Sequence, residues 1–220
     1  MSIYLHGENG ITFSFLNDLN SKSGMKGQKN LHNFLNNIRW IEESPIIANI
    51  IGKIQIHLFP SFGRGQWGMG EPDGMIITNN YVFILEVETT NIEKLPTNYY
   101  EQMDRFIQLG QFFEQSNRKK IGGHPIPIVD NKKVKGMYRT RKIIQEILKD
   151  PPKTFFYITI TNNHLSKKIN GEKPQSFFKS KVLPKLYSKE NHGLFSLFSI
   201  SKLNFVSDLT KHTIKLNIEK

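Results

Sequence analysis

Two apolar runs separated by a two-residue turn constrain the fold of this chain more than any other feature. Residues 75–78 and 81–88 flank Asn79-Asn80, and asparagine tolerates the positive φ that tight hairpin turns require. Both runs have the apolar character of strands that are buried on at least one face. The sequence therefore predicts a β-hairpin inside a sheet, preceded by the segment Gly70-Glu71-Pro72-Asp73-Gly74.

The turn also predicts which residues lie opposite each other. Pairing Thr78 with Tyr81 and counting outward places Asp73 opposite Glu86. Because side chains alternate between the faces of a strand, Glu88 shares the face of these two acids. The opposite face receives apolar side chains, namely Phe83, Leu85 and Val87. We therefore expect three carboxylates to converge at one end of the sheet.

Acidic residues in a buried strand require a physical reason. Carboxylates held close together raise each other's pKa and destabilise the fold unless a cation lies between them. Carboxylate oxygens are hard ligands that suit Mg²⁺. The alternative is an edge strand whose end emerges into solvent, with Glu86 and Glu88 hydrated and inert.

These residues resemble the active site of the PD-(D/E)xK nuclease superfamily, which includes many type II restriction endonucleases. Pro72-Asp73 and Glu86-Val87-Glu88 carry the resemblance, with Glu88 at the position of the usual lysine, an E-x-E variant. The resemblance implies phosphodiester hydrolysis that depends on Mg²⁺, or on Mn²⁺ in its place. It implies Asp73 and Glu86 as metal ligands, with Glu88 as a further ligand, a base or a group that orients water.

The resemblance also directs attention to residues outside the hairpin. Glu42 or Glu43 would lie near the metal as an additional carboxylate ligand, and Gln102 would lie on the helix after the acidic pair. The metal must supply the charge stabilisation that a lysine usually provides, unless a second ion or an imported lysine contributes. Four lysines are candidates for that role: Lys53, Lys94, Lys119 and Lys120.

The order of the predicted elements supports the same fold. The predicted elements follow the order helix, three strands, helix, strand. The first helix is indicated by helical spacing from Gln28 to Ile41, and the three strands are the alternating residues 54–58 and the two strands of the hairpin. A helix over 98–116 and a strand over 155–161 complete the order. Ser44-Pro45 would start another short helix, and residues 137–149 read as a helix within a basic insertion. Alternating residues in 1–26 suggest a strand or an arm.

This succession resembles the αβββαβ core of the nuclease superfamily. We expect an α/β (α+β) fold with a central mixed sheet flanked by helices. The prediction is one nuclease-like domain over residues 1–220, with its core at about 28–161. A basic C-terminal extension over about 162–220 would add strands and a helix to the flank of the sheet.

Charge is distributed unevenly along the chain, whose net charge is +11. The first 110 residues carry 8 Lys and Arg against 11 Asp and Glu, whereas the last 110 carry 22 against 8. A basic half beside an acidic cluster suits a phosphodiester substrate, although membrane surfaces and acidic proteins also attract such a charge. The residues we expect to contact nucleic acid are Arg64, Arg118, Lys119, Lys120, Lys132 and Lys133.

Several other functions find little support in the sequence. The chain has no cysteine, and its histidines lack the spacing of a zinc site, so thiol chemistry and zinc binding are not indicated. Residues 63–68 match G-x-G-x-x-G, but no helix follows to bind a dinucleotide. No signal peptide or membrane-spanning segment is recognisable, so we expect a cytoplasmic protein that does not bind membranes.

The sequence thus predicts a magnesium-dependent endonuclease that acts on double-stranded DNA, of the type II restriction or phage-defence kind. Cutting both strands favours two sites related by symmetry, so a homodimer is the expected assembly. One alternative is a nucleic-acid-binding protein on a nuclease scaffold that no longer cleaves. The other is a basic module that docks an acidic protein.

Overall fold

A computed structural model describes residues 7–20, 25–42, 53–62, 69–114, 120–121, 124–125, 141–148 and 153–218. The described helices are α1 (Gly7–Asn20), α2 (Met25–Asn36), α3 (Thr97–Glu114), α4 (Arg141–Ile147), α5 (Pro174–Phe177), α6 (Leu197–Ile200) and α7 (Asp208–Ile218). The described strands are β1 (Arg39–Trp40), β2 (Gln55–Leu58), β3 (Gly74–Ile77), β4 (Tyr81–Val87), β5 (Lys120–Ile121), β6 (His124–Pro125), β7 (Thr154–Thr161) and β8 (His192–Ser196).

Six strands form one mixed sheet in the order β1-β8-β7-β4-β3-β2, and β5 and β6 form a separate pair. The central strands β4, β7 and β8 run parallel. The outer strands pair antiparallel, β1 with β8, and β2 with β3, which in turn pairs with β4. Parallel central strands require both faces of the sheet to be covered, which explains why β4 and β7 are almost continuously buried.

Apolar cores lie on both faces of the sheet. On one face, α3 and α4 cover a core that includes Met75, Ile84 and Tyr157. On the other, α1, α2, α6 and α7 cover a core that includes Phe83 and Ile158. The protein is therefore a mixed α/β structure with a six-stranded sheet flanked by helices, as the sequence predicted at this level.

The hairpin register is confirmed. Met75 pairs with Ile84 and Ile77 with Val82, and the Thr78 N–H donates to the Tyr81 carbonyl at 2.9 Å. The predicted alternation is confirmed as well, because odd and even positions of β4 belong to different cores. The predicted elements at β2, α3 and β7 also lie where the sequence placed them.

The prediction of a strand or arm in residues 1–26 was wrong. Residues 7–20 form α1, in which Ile11, Phe15 and Leu19 are buried and recur every four residues, whereas Phe13 is 45 % exposed. The alternation of Ile11, Phe13 and Phe15 was coincidental, since helical spacing explains the burial and alternation does not. The helix packs against α7 and reaches β4.

The first amphipathic helix is shorter than predicted. It ends at Asn36, and the Asn37 side chain donates to the Asn33 carbonyl at 2.7 Å, which satisfies one of the free carbonyls at the helix end. Ile38 and Ile41 therefore flank β1 and do not continue the helix.

The predicted helix after Ser44-Pro45 lies outside the described residues, and of the helix predicted over 137–149 only 141–148 is described. The C-terminal segment contributes β8 to the sheet, together with α5, α6 and α7. None of the helices in the described ranges combines the length and the apolar character that crossing a bilayer would demand.

Candidate active site

The hairpin brings the predicted carboxylates to one end of the sheet. Asp73 immediately precedes β3, and its Oδ2 accepts a hydrogen bond from the Val87 N–H at 2.8 Å. Glu86 lies near the end of β4, and the Glu88 N–H continues the parallel ladder by donating to the Ile160 carbonyl at 2.7 Å. The side chain of Asp73 therefore contacts β4, the strand that contains Glu86 and ends directly before Glu88.

The segment before Asp73 is held in place by backbone contacts. The Phe59 N–H donates to the Asp73 carbonyl at 3.0 Å, and the Phe62 N–H donates to the Gly70 carbonyl at 2.9 Å. Gly70 has a φ of +86°, and a Cβ there would lie 2.8 Å from the Phe106 ring. A glycine is thus required where the chain turns against α3 to deliver Asp73 to the site.

A fourth carboxylate, Glu8, comes from α1. Its Oε1 accepts hydrogen bonds from both the backbone N–H and the hydroxyl of Thr89, each at 3.1 Å. Its charge acts on Asp73, Glu86 and Glu88 by raising the pKa of each. Sequence reasoning missed Glu8 because the N-terminal residues were read as a strand or arm, and nothing in the local pattern links position 8 to the hairpin.

The carboxylates are buried and repel one another. Glu86 is 5 % exposed and Glu88 is 6 % exposed. Burial raises the pKa of Asp73 to about 6, although the Val87 N–H opposes the shift. Burial, followed by the charges of Asp73 and Glu88, raises the pKa of Glu86 well above its ordinary value. Burial and the charge of Glu8 raise the pKa of Glu88 to about 7.

Three buried side-chain oxygen atoms at this end of the sheet lack a hydrogen-bond partner among the described residues. One is Asn162 Oδ1, just after β7, and the other two lie on the face of β4 and β7 that carries the acids: Glu86 Oε2 and Thr161 Oγ1. Glu86 pairs in register with Thr159, whose hydroxyl lies 2.7 Å from the Tyr99 hydroxyl, and Thr161 lies two residues further along the same face of β7. Since buried polar atoms are nearly always partnered, the two on this face mark a place where a ligand or ion would complete the site.

A hard divalent cation fits the chemistry of this donor set. Carboxylate and hydroxyl oxygens are its preferred ligands, and a positive ion would relieve the repulsion that raises the pKa values of the acids. In the described part of the chain, no group of three or more His, Asp or Glu side chains already has the geometry of a metal site.

Within the described ranges, no hydrogen bond or ion pair links the other predicted residues to this cluster. Glu42 is exposed beside β1 and forms an ion pair with Lys179 at 3.2 Å. Gln102 is half-buried on α3, and Lys53 and Lys94 are exposed. Only the backbone of Lys120 is described, in β5. The remaining predicted residues lie outside the described ranges: Glu43, Arg64, Arg118, Lys119, Lys132 and Lys133.

Comparison of the chain with protein-family models, with curated proteins and with solved structures finds no match.

Proposed function

We propose that this protein is a magnesium-dependent DNA endonuclease, of the type II restriction or phage-defence kind, built on a restriction-endonuclease-like αβββαβ core. The observation that carries the proposal is Glu86, a glutamate that is 5 % exposed, has an unpartnered Oε2 and is surrounded by other carboxylates. Such an arrangement destabilises the folded protein unless a cation compensates it. Strongly perturbed acids of this kind are typical of functional sites.

Each carboxylate would have a defined task. Asp73 and Glu86 would bind the cation, Mg²⁺ or Mn²⁺, and Glu8 would contribute a further negative charge. When bound, the cation would acidify water and balance the charge that develops on the phosphoryl oxygens. Glu88 would accept a proton from the attacking water as the new phosphorus–oxygen bond forms, while the bond from phosphorus to the leaving sugar oxygen breaks and that oxygen takes a proton from solvent. Its raised pKa, about 7, suits a base that works near neutral pH.

The charge distribution supports a polyanionic substrate. Asp73 and Glu86 alone would repel DNA, but the last 110 residues carry 22 Lys and Arg against 8 Asp and Glu. Basic side chains bind phosphates through counterion release, which makes binding strongly dependent on salt. Hydrolysis of a phosphodiester requires this combination: acidic residues recruit the cation, and the basic second half of the chain holds the polyanionic DNA.

The test is cleavage of plasmid DNA by the purified protein with and without Mg²⁺. Cleavage is expected only with the metal, and Asp73→Asn and Glu86→Gln are each expected to abolish it while circular dichroism shows a folded protein. Asp104→Asn is a matched control, because Asp104 also accepts a backbone N–H, from Tyr187 at 2.7 Å, but lies on α3. Wild-type cleavage rates in both site variants would remove this assignment.

A nucleic-acid-binding protein without catalytic activity is the second candidate. One observation favours it: Glu88 occupies the position where the resembling nucleases carry lysine. Calorimetric titration with Mn²⁺ separates the two functions. Salt-dependent DNA binding without any heat of metal binding would support the second candidate, whereas metal binding that is lost in Glu86→Gln would support the nuclease.

A further inference from the structure

A basic cavity lies at the far edge of the same sheet. It has a volume of about 330 Å³ and is lined by Arg39, Leu165, Ser166, Lys173 and Gln175. Arg39 belongs to the edge strand β1, and the other four belong to the segment that follows β7. Residues from two distant parts of the chain therefore line this space, and Arg39, Ser166 and Lys173 are exposed there.

The lining has the chemistry of an anion site. A guanidinium, an ammonium and a hydroxyl offer hydrogen-bond donors of the kind that recognise phosphate oxygens. Within the described residues, neither Arg39 nor Lys173 forms an ion pair with an acidic side chain. The nearby acids already have other partners, since Glu42 pairs with Lys179 and Glu172 accepts a hydrogen bond from Ser180.

The cavity and the acidic cluster lie in one row across the sheet. Arg39 pairs with Leu194 in β8, and Leu194 pairs with Thr159 in β7. Thr159 in turn pairs with Glu86 in β4. Because paired residues project from the same face of a sheet, Arg39 and Glu86 share a face. Three strand spacings of about 4.8 Å separate their backbones by about 14 Å.

We propose that this cavity binds a phosphate group, and that the phosphate belongs to the backbone of the DNA held at the acidic cluster. The affinity for phosphate follows from the lining itself, whereas its assignment to DNA rests on the proposed function. A separation of about 14 Å is shorter than one turn of B-form DNA, about 34 Å. Leu194 and Thr159, which lie between them in the row, are completely buried, so a duplex would reach the two places at the protein surface, and the cavity would fix the position of the DNA backbone relative to the carboxylates.

The experiment measures binding of a fluorescein-labelled duplex by anisotropy at several salt concentrations, in EDTA so that no cleavage occurs. Arg39→Gln and Lys173→Gln are each expected to weaken binding by about tenfold or more and to lower the salt dependence by about one phosphate contact. Lys211→Gln removes one charge from α7, where Lys211 pairs with Asp208, and is the matched control. It is expected to change the affinity by less than about twofold, as exposed ion pairs contribute little.

The outcomes separate this proposal from the nuclease proposal. Wild-type affinity in both Arg39→Gln and Lys173→Gln, together with no calorimetric binding of inorganic phosphate to the wild-type protein, would overturn the phosphate site. Phosphate binding that is lost in Arg39→Gln, with DNA affinity unchanged, would assign the cavity to a free phosphate compound. Loss of DNA affinity in the two cavity variants would support the site even if no cleavage were found, because binding is measured without metal.

Discussion

Replacing Asp73 by asparagine tests whether the buried carboxylates destabilise the protein when no cation is bound. Asparagine keeps an oxygen that can accept the hydrogen bond from the Val87 N–H, which Asp73 now accepts at 2.8 Å, and it removes one negative charge. The pKa of Asp73 rises from an ordinary value of 3.8 to about 6, first because of burial and then because of Glu8. One pKa unit corresponds to about 1.4 kcal/mol, so ionised Asp73 lowers the free energy of unfolding by up to about 3 kcal/mol.

The effect has a definite dependence on pH. Below about pH 4, Asp73 is protonated in both the folded and the unfolded state, and the variant and the wild type are expected to be equally stable. Between about pH 4 and pH 6, the unfolded state releases its proton first, so the wild-type protein loses stability relative to the variant as pH rises. Above about pH 6 Asp73 is ionised in both states and its own contribution is complete, so Asp73→Asn is expected to be more stable by up to about 3 kcal/mol.

The measurement is urea denaturation at about pH 4 and about pH 8 in EDTA, followed by circular dichroism. Asp104→Asn is the control, because it removes a carboxylate that accepts a backbone N–H outside the cluster. Adding Mg²⁺ at about 100 times its dissociation constant is expected to raise the stability of the wild type by about 2.7 kcal/mol and that of the variant by less. Equal stability of variant and wild type at about pH 8, or an equal response of both to Mg²⁺, would refute the reasoning.

Three further predictions concern the fold and the site. Asp18→Ala is expected to lower the free energy of unfolding by about 3 kcal/mol, because Asp18 accepts three hydrogen bonds from residues at the start of α7; a loss below about 0.5 kcal/mol would contradict this. Gly110→Ala is expected to destabilise the protein by about 1–3 kcal/mol, because a Cβ there would meet the Tyr157 hydroxyl. Urea denaturation should show that adding Tyr157→Phe recovers part of this loss, and additive effects would count against the contact. Glu88→Lys removes the carboxylate that is proposed to accept the proton and is expected to abolish Mg²⁺-dependent cleavage, so cleavage at the wild-type rate in the plasmid assay would contradict the assignment of Glu88 as the base.

The sequence predicted the hairpin and its acids because both depend on local rules. A two-residue turn fixes the register, and alternation then assigns Asp73 and Glu86 to one face without any knowledge of the rest of the fold. Glu8 depends instead on how α1 packs across the sheet, which is a contact between residues 81 positions apart in the chain. Arg39 was missed for the same reason, since its position in the row with Glu86 follows from three strand pairings that no local pattern encodes.

The position of the acids within the sheet explains how the fold accommodates them. Glu86 and Thr161 lie at the carboxyl ends of two parallel strands, β4 and β7, which is the edge where ligands commonly bind in open α/β sheets. The interior of the same strands is apolar, and residues such as Ile84 and Ile158 are completely buried. Burial of these side chains stabilises the sheet and offsets repulsion among the carboxylates at its end. The fold can therefore keep a cluster of buried and incompletely hydrogen-bonded carboxylates at this edge without unfolding, which is the condition that recruitment of a cation requires.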